Sequence, residues 1–239
     1  MDVDKNTTMN LYGCRQGLLD TSKIVEAIQG VPQVYYRTCE VKTSKVAVGV
    51  LVDESGSMCG DRISRAREAA ILLNETLGSI AGVELFVYGH SADEFRGGNT
   101  EITVYREPGF NKKYAMASIR DKYENRDGIA ILEVAKRIRK FTQTPTLLFV
   151  ISDGSPSAQN YRGYEAIKDT GAKVKQVEST MGMSVVQITI SDFYSYSSEI
   201  STMFSKSIHL EDDLDNLAIE LGKVLRNAVI ENKTTSMTF

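Results

Sequence analysis

The run Val46-Ala47-Val48-Gly49-Val50-Leu51-Val52 carries no polar side chain and breaks without transition into Asp53-Glu54-Ser55-Gly56-Ser57-Met58. A short apolar run of this kind reads as a buried strand, which needs cover on both of its faces. A helical pattern follows at once, with Ile63, Ala66, Ala70, Leu73 and Leu77 recurring at helical spacing over residues 63–80. The alternation then repeats. Strand Val83 to Gly89 is followed by a helix after Asp127-Gly128 that uses Ile129, Leu132, Ala135, Ile138 and Phe141; strand 146–151, helix 163–180, strand 184–190 and a last helix over 212–230 complete the series. Strands separated by helices become parallel neighbours, because a parallel pair needs a long crossover. The expected fold class is therefore α/β: a doubly wound, Rossmann-like, mostly parallel sheet flanked by helices. Residues 91–117 show little periodicity and read as an irregular connection with a short strand at Glu101 to Tyr105.

Residues 1–44 form a lead-in of mixed pattern, in which Leu18, Leu19, Ile24, Val25 and Ile28 predict a short amphipathic helix capped by Asp20 or Thr21. The main domain spans 45–230, and Glu231 to Phe239 is a polar tail. With 239 residues, 42% apolar and 25% charged, the chain can bury a core without covalent staples. A net charge of -3 gives no electrostatic footprint for nucleic acid. Cys14, Cys39 and Cys59 are odd in number and far apart, which suits reduced thiols better than a disulfide framework or a zinc motif. The first residues lack the basic and apolar regions of a signal peptide, and no apolar run reaches membrane-spanning length, so a cytoplasmic location without membrane contact is expected.

Doubly wound sheets bind ligands beyond the carboxyl ends of their strands. Two oxygen-rich loops fall there: Asp53 to Met58, and Ser152-Asp153-Gly154-Ser155-Pro156 after the apolar run 146–151. The Asp-x-Ser-x-Ser spacing puts one carboxylate and two hydroxyls on one side of a tight turn, an arrangement suited to magnesium, which prefers hard oxygen donors and retains several waters. A divalent cation with an open coordination position is the expected ligand. Other conspicuous residues read as structural. His90, at a strand end near the crevice rim, is expected to be a hydrogen-bonded structural histidine. Cys59 reads as packing, since a thiolate is a poor match for magnesium. Lys136, Arg137, Arg139 and Lys140 read as the solvated face and last turn of a helix. No Gly-x-x-x-x-Gly-Lys-Ser/Thr loop, His-Glu-x-x-His motif or hydrolytic triad signature occurs, so catalysis by this chain alone is not expected.

Asp53-Glu54-Ser55-Gly56-Ser57-Met58 resembles the metal-ion-dependent adhesion site of von Willebrand factor A domains. Together with it, Gly17-Leu18-Leu19-Asp20, Leu51-Val52-Asp53, Glu124-Asn125-Arg126-Asp127-Gly128 and Val150 to Pro156 resemble the carboxyl-terminal domain of CobT-type cobaltochelatase subunits, over residues 17–230. The resemblance implies that Ser55 and Ser57 ligate the ion through their hydroxyls, and that Asp53 and Asp153 act directly or through water. Either Asn125 or Asp127 would replace the threonine that many A domains carry in the third loop. The implied ion is Mg2+, or another divalent cation such as Mn2+ or Ca2+. The implied partners are an AAA+ ATPase subunit and an acidic residue of a partner or client that completes the coordination shell, in a complex that inserts cobalt into a corrin ring during cobalamin biosynthesis. An alternative is a binding module paired with a MoxR-type ATPase in protein-complex remodelling, unrelated to tetrapyrroles. A metal-dependent hydrolase ranks last, because no general base or phosphate-handling residues accompany the site. The chain also departs from the CobT pattern. It has Glu54 where that family has Asn, a shorter segment before the Asn125 loop, and nothing before residue 15 that stands for the family's long acidic portion.

Overall fold

The computed structural model describes residues 7–41, 45–93, 99–112, 114–190 and 197–210. Two compact units divide the chain, Met1–Ser44 and Lys45–Phe239.

The first unit is a small antiparallel sheet of β1 (Thr7–Cys14), β2 (Leu18–Leu19) and β3 (Tyr35–Val41), in the order β1-β3-β2. The β1–β3 register shifts between Tyr12 and Cys14, where Gly13 takes a positive φ of 77°. Asp20 caps the next turn, its Oδ1 accepting the Ser22 amide at 3.0 Å and the Ser22 hydroxyl at 2.6 Å. The short helix expected here forms, after a turn capped by Asp20, but without the two leucines assigned to it. Leu18 and Leu19 are strand residues, and α1 (Ile24–Ile28) is only five residues long, with Ile24, Val25 and Ile28 exposed.

The second unit is built on a seven-stranded sheet of order β10-β9-β8-β4-β5-β6-β7. Its strands are β4 (Val46–Asp53), β5 (Val83–Ala92), β6 (Thr100–Glu107), β7 (Phe110–Asn111), β8 (Thr146–Ser152), β9 (Met183–Thr189) and β10 (Ser207–His209). Helices α2 (Asp61–Leu77), α3 (Asp127–Phe141) and α4 (Gly163–Met181) supply crossovers, and α5 (Ser197–Met203) follows β9. Strands β10, β9, β8, β4 and β5 are parallel neighbours, while β6 and β7 run antiparallel as a hairpin. The short strand expected at Glu101 to Tyr105 is thus a full strand of the main sheet. The helix expected at 212–230 and the polar tail lie outside the described residues.

Strand periodicity sorts β4 into two faces. Val46, Val48, Val50 and Val52 join one core with Ile63, Ala66, Ala70, Leu73 and Leu77 of α2. Ala47 and Leu51 join another with Ala130, Ile131, Val134 and Ile138 of α3 and with residues of α4. Gly49 belongs to this second parity: a Cβ there would lie 2.7 Å from Ile138 Cδ1 and 2.8 Å from Leu148 Cδ1. Gly49→Val is therefore expected to cost about 1–3 kcal/mol by overpacking, although valine is the better strand former. Urea unfolding of the two proteins measures the difference; equal stability would show that α3 can move outward freely.

Asp53 ends the same parity, so its carboxylate is delivered to the side of the sheet on which α3 begins. In the parallel register Asp53 is paired with His90 of β5, which continues the Phe86 and Tyr88 parity toward that side.

Candidate metal centre

Where β4 ends, Asp53 Oδ1 accepts the Ser55 amide at 2.8 Å and bends the chain. Serines at such a bend commonly cap helices, yet neither hydroxyl does so here. Ser55 precedes the short 3-10 turn Gly56–Met58 without a side-chain cap bond, and the residue before α2 is Gly60, at φ 81°. The Ser55 and Ser57 hydroxyl oxygens instead lie 3.0 Å apart. Main-chain bonds tie this loop to the others. Lys122 N–H donates to Glu54 O at 2.6 Å, Gly56 N–H to the Tyr123 carbonyl, Ala92 N–H to Glu124 O at 2.6 Å, and Asn125 N–H to Ser157 O at 3.1 Å.

The third loop brings Asn125 and Asp127 beside Asp53. Asn125 Nδ2 donates to Asp53 Oδ2 at 2.9 Å and to Asp127 Oδ1 at 3.1 Å, while its Oδ1 accepts the Ser157 amide at 2.6 Å. The Ser157 N–H can only donate, so this contact fixes the orientation of the amide. The Asn125 oxygen is engaged, whereas Asp127 Oδ2 is buried without a hydrogen bond. Asp127 is the first residue of α3, and the residue before it, Arg126, makes no side-chain cap bond. Asp153 Oδ1 accepts the Ser155 amide at 3.1 Å, and its Oδ2 lies 3.6 Å from Arg62 Nη1.

Three carboxylates gathered in this way repel one another. Burial, and then the Asp153 charge, push the Asp53 carboxyl up to about 7 against the hydrogen bonds from Ser55 and Asn125. Burial, followed by the charges of Asp53 and Asp153, holds Asp127 well above the usual carboxylate range. His90 is fully buried, and neither ring nitrogen has a hydrogen-bond partner. Burial, with a smaller contribution from Lys122, lowers it to about 3 and keeps it neutral. Asp53, His90 and Asp127 each offer a ligand atom within 4.8 Å of the others. Orphaned buried acceptors beside clustered carboxylates and two hydroxyls fit a divalent cation, whose charge would relieve the repulsion.

No family model matches the chain. YojO of Bacillus subtilis (strain 168), an uncharacterized protein, is 25% identical over 212 residues, covering 82% of this chain and 32% of YojO. The chain thus spans about a third of the length of that relative. Among solved structures, the vWF domain of the type V pili tip protein Mfa5 from Porphyromonas gingivalis matches 80% of this chain and 97% of its own, with a TM-score of 0.53 at 11% identity. A von Willebrand factor type A structure from Catenulispora acidiphila matches 87% of this chain and 46% of its own, with a TM-score of 0.50 at 12% identity. The chain has a von Willebrand factor A fold.

Within this fold, Asp53, Ser55, Asn125, Asp127 and Asp153 are all buried and converge at the ends of β4 and β8 and the start of α3; Ser57 reaches the same place from an exposed position. Three expectations are corrected. His90 is buried beside Asp53 and Asp127 and is not a hydrogen-bonded rim residue. Cys59 is exposed rather than packed. Arg137 and Arg139 are not merely a solvated helix face. Arg137 makes paired 2.7 Å bonds to Glu107, and Arg139 binds the carbonyls of Met181 and Thr144. Glu54 also has a role not visible in the sequence. Its fully buried carboxylate accepts from Lys122 Nζ at 2.9 Å and from the Tyr105 hydroxyl, in space left by Gly89.

No helix among the described residues is long and apolar enough to cross a membrane.

Proposed function

We propose that this A-type domain is a metal-dependent docking module that works with an AAA+ ATPase. A divalent cation would be held by Ser55 and Ser57 together with Asp53, Asp127 and Asp153, directly or through water. When bound, the cation supplies positive charge and a coordination position that an acidic side chain of the partner can fill. The observation that carries this reading is the pair of Ser55 and Ser57 hydroxyls, 3.0 Å apart and not used as helix caps, set against a buried aspartate cluster. Of the two candidates in the third loop, Asp127 is favoured, because the Asn125 oxygen is engaged by Ser157. Asn125 then serves to orient Asp53 and Asp127 through its amide hydrogens.

The cobaltochelatase version rests on the sequence resemblance at Gly17 to Asp20, Glu124 to Gly128 and Val150 to Pro156. In it, the ATPase drives the assembly while metal enters a tetrapyrrole. Residues 1–239 carry no phosphate loop of the Gly-x-x-x-x-Gly-Lys-Ser/Thr kind, so the motor lies outside them.

Calorimetric titration against the AAA+ ATPase encoded nearest to it in the same genome tests the proposal. Affinity should fall at least about tenfold when the cation is chelated, and Ser55→Ala should cause a similar loss. An affinity indifferent to both changes would refute the docking role, as would robust ATPase activity from the chain alone.

A further inference from the structure

His90 is the one residue of the cluster that an all-oxygen magnesium site does not explain. Its ring sits with no exposed surface at the end of β5, opposite Asp53 in the parallel register, and both ring nitrogens lack a hydrogen-bond partner. Buried polar groups are nearly always paired, so an orphaned imidazole calls for an explanation. Asp127 Oδ1 lies 3.6 Å from His90 Nε2. That separation is too long for a hydrogen bond. It does suit two donors that share an ion: with bonds of about 2.1 Å, adjacent donors lie roughly 3 Å apart and opposite ones roughly 4.2 Å apart. The second Asp127 oxygen is also buried and unpaired.

We infer that His90 Nε2 joins Asp53 and Asp127 as a donor, making a mixed nitrogen and oxygen site that takes a first-row transition-metal dication in preference to magnesium or calcium. This rests on the reading of the loops as a cation site and adds the class of ion. The chemistry follows from the donors: magnesium and calcium are satisfied by oxygen, whereas imidazole nitrogen suits the transition ions and strengthens along their series. A hydrogen-bonded structural histidine would show an acceptor for its ring N–H, and none is present among the described residues. The ring is brought to the aspartates by sheet geometry rather than by a loop, since β4 and β5 are paired continuously from Val46 with Val83 to Asp53 with His90.

The test uses the full chain and two independent measurements. In the first, Co2+ and Mg2+ are titrated into the wild type, His90→Gln and Ser55→Ala. His90→Gln should weaken Co2+ at least about tenfold and Mg2+ less than about threefold, while Ser55→Ala should weaken both. In the second, pulsed electron paramagnetic resonance of the Mn2+-loaded wild type should show coupling to a directly bound imidazole nitrogen. This measurement decides the matter even if His90→Gln does not fold. Binding of Mg2+ and Co2+ with equal sensitivity to His90→Gln, or Mn2+ without nitrogen coupling, overturns the role of His90 and leaves the oxygen site standing. Failure of the wild type to bind any of the three ions overturns the cation site itself.

Discussion

Replacing Asp53 by alanine is expected to lower divalent-cation affinity by at least about 100-fold while leaving the sheet folded. The residue closes β4 but contributes no apolar surface to either core. In chelator, its effect on stability has a definite sign. The folded-state carboxyl is raised to about 7, while the unfolded one titrates near 4. Between those values the folded state holds a proton that the unfolded state has released, so stability falls as the pH rises. The contribution is intact below pH ~4 and lost, on the order of a few kcal/mol, by pH ~7. Asp53→Asn, which cannot ionise, should remove Asp53's share of that slope, leave the share of Asp127, and be the more stable protein at pH 8 in chelator. Saturating cation should close most of that gap, adding about 2.7 kcal/mol to the wild type at a hundredfold excess over Kd. Chemical denaturation across pH, with and without cation, checks each step. A wild type that gains stability with rising pH in chelator would contradict the electrostatic account of the cluster.

Lys122→Ala should have the largest effect on stability of any surface-reaching substitution near the site, about 3–5 kcal/mol. The Lys122 ammonium is partly exposed, but the Glu54 carboxylate it pairs with is fully buried. Removing the cation strands a charge whose remaining side-chain partner, among the described residues, is the Tyr105 hydroxyl. The penalty comes from this stranded carboxylate rather than from the lost attraction, so Glu54→Gln in the Lys122→Ala background should recover part of it. Denaturation midpoints of the single and double variants are sufficient. A loss below about 1 kcal/mol for Lys122→Ala would mean that the pair behaves as a solvated one.

The parts of the molecule that were legible in the sequence are those whose environment is uniform. Strands β4 and β8 are covered on both faces, so they are apolar from Val46 to Val52 and from Leu147 to Ile151, and α2 and α3 bury one stripe that repeats at helical spacing. The first unit gave no such signal. In Tyr35–Val41 polar and apolar residues are mixed without a regular alternation. The loops that hold Asp53, Ser55, Ser57 and Asp153 were readable because oxygen donors stood directly after apolar runs. Which of Asn125 and Asp127 keeps an unengaged oxygen was not, since that depends on the amide of Ser157, thirty-two positions beyond Asn125. His90 could have been placed by extending the parity of Phe86 and Tyr88 by one step and aligning β5 with β4. Glu54 had no local signal at all, because its partners come from β6 and the segment before α3.

The position of β4 has a mechanical consequence. The strand that carries Asp53 lies between β5 and β8, parallel to both, and is paired with β5 over its whole length and with β8 from Ala47 to Val52. Tension applied at the loop therefore runs along the strand axis. It loads both ladders in shear, with many bonds sharing the force at once, where a terminal hairpin would unzip one bond at a time. The flanking loops, tied to it through Glu54, Gly56 and Ala92, divert part of the pull into β5 and α3. A pull at the site is therefore shared between the two ladders of β4 rather than borne by one loop.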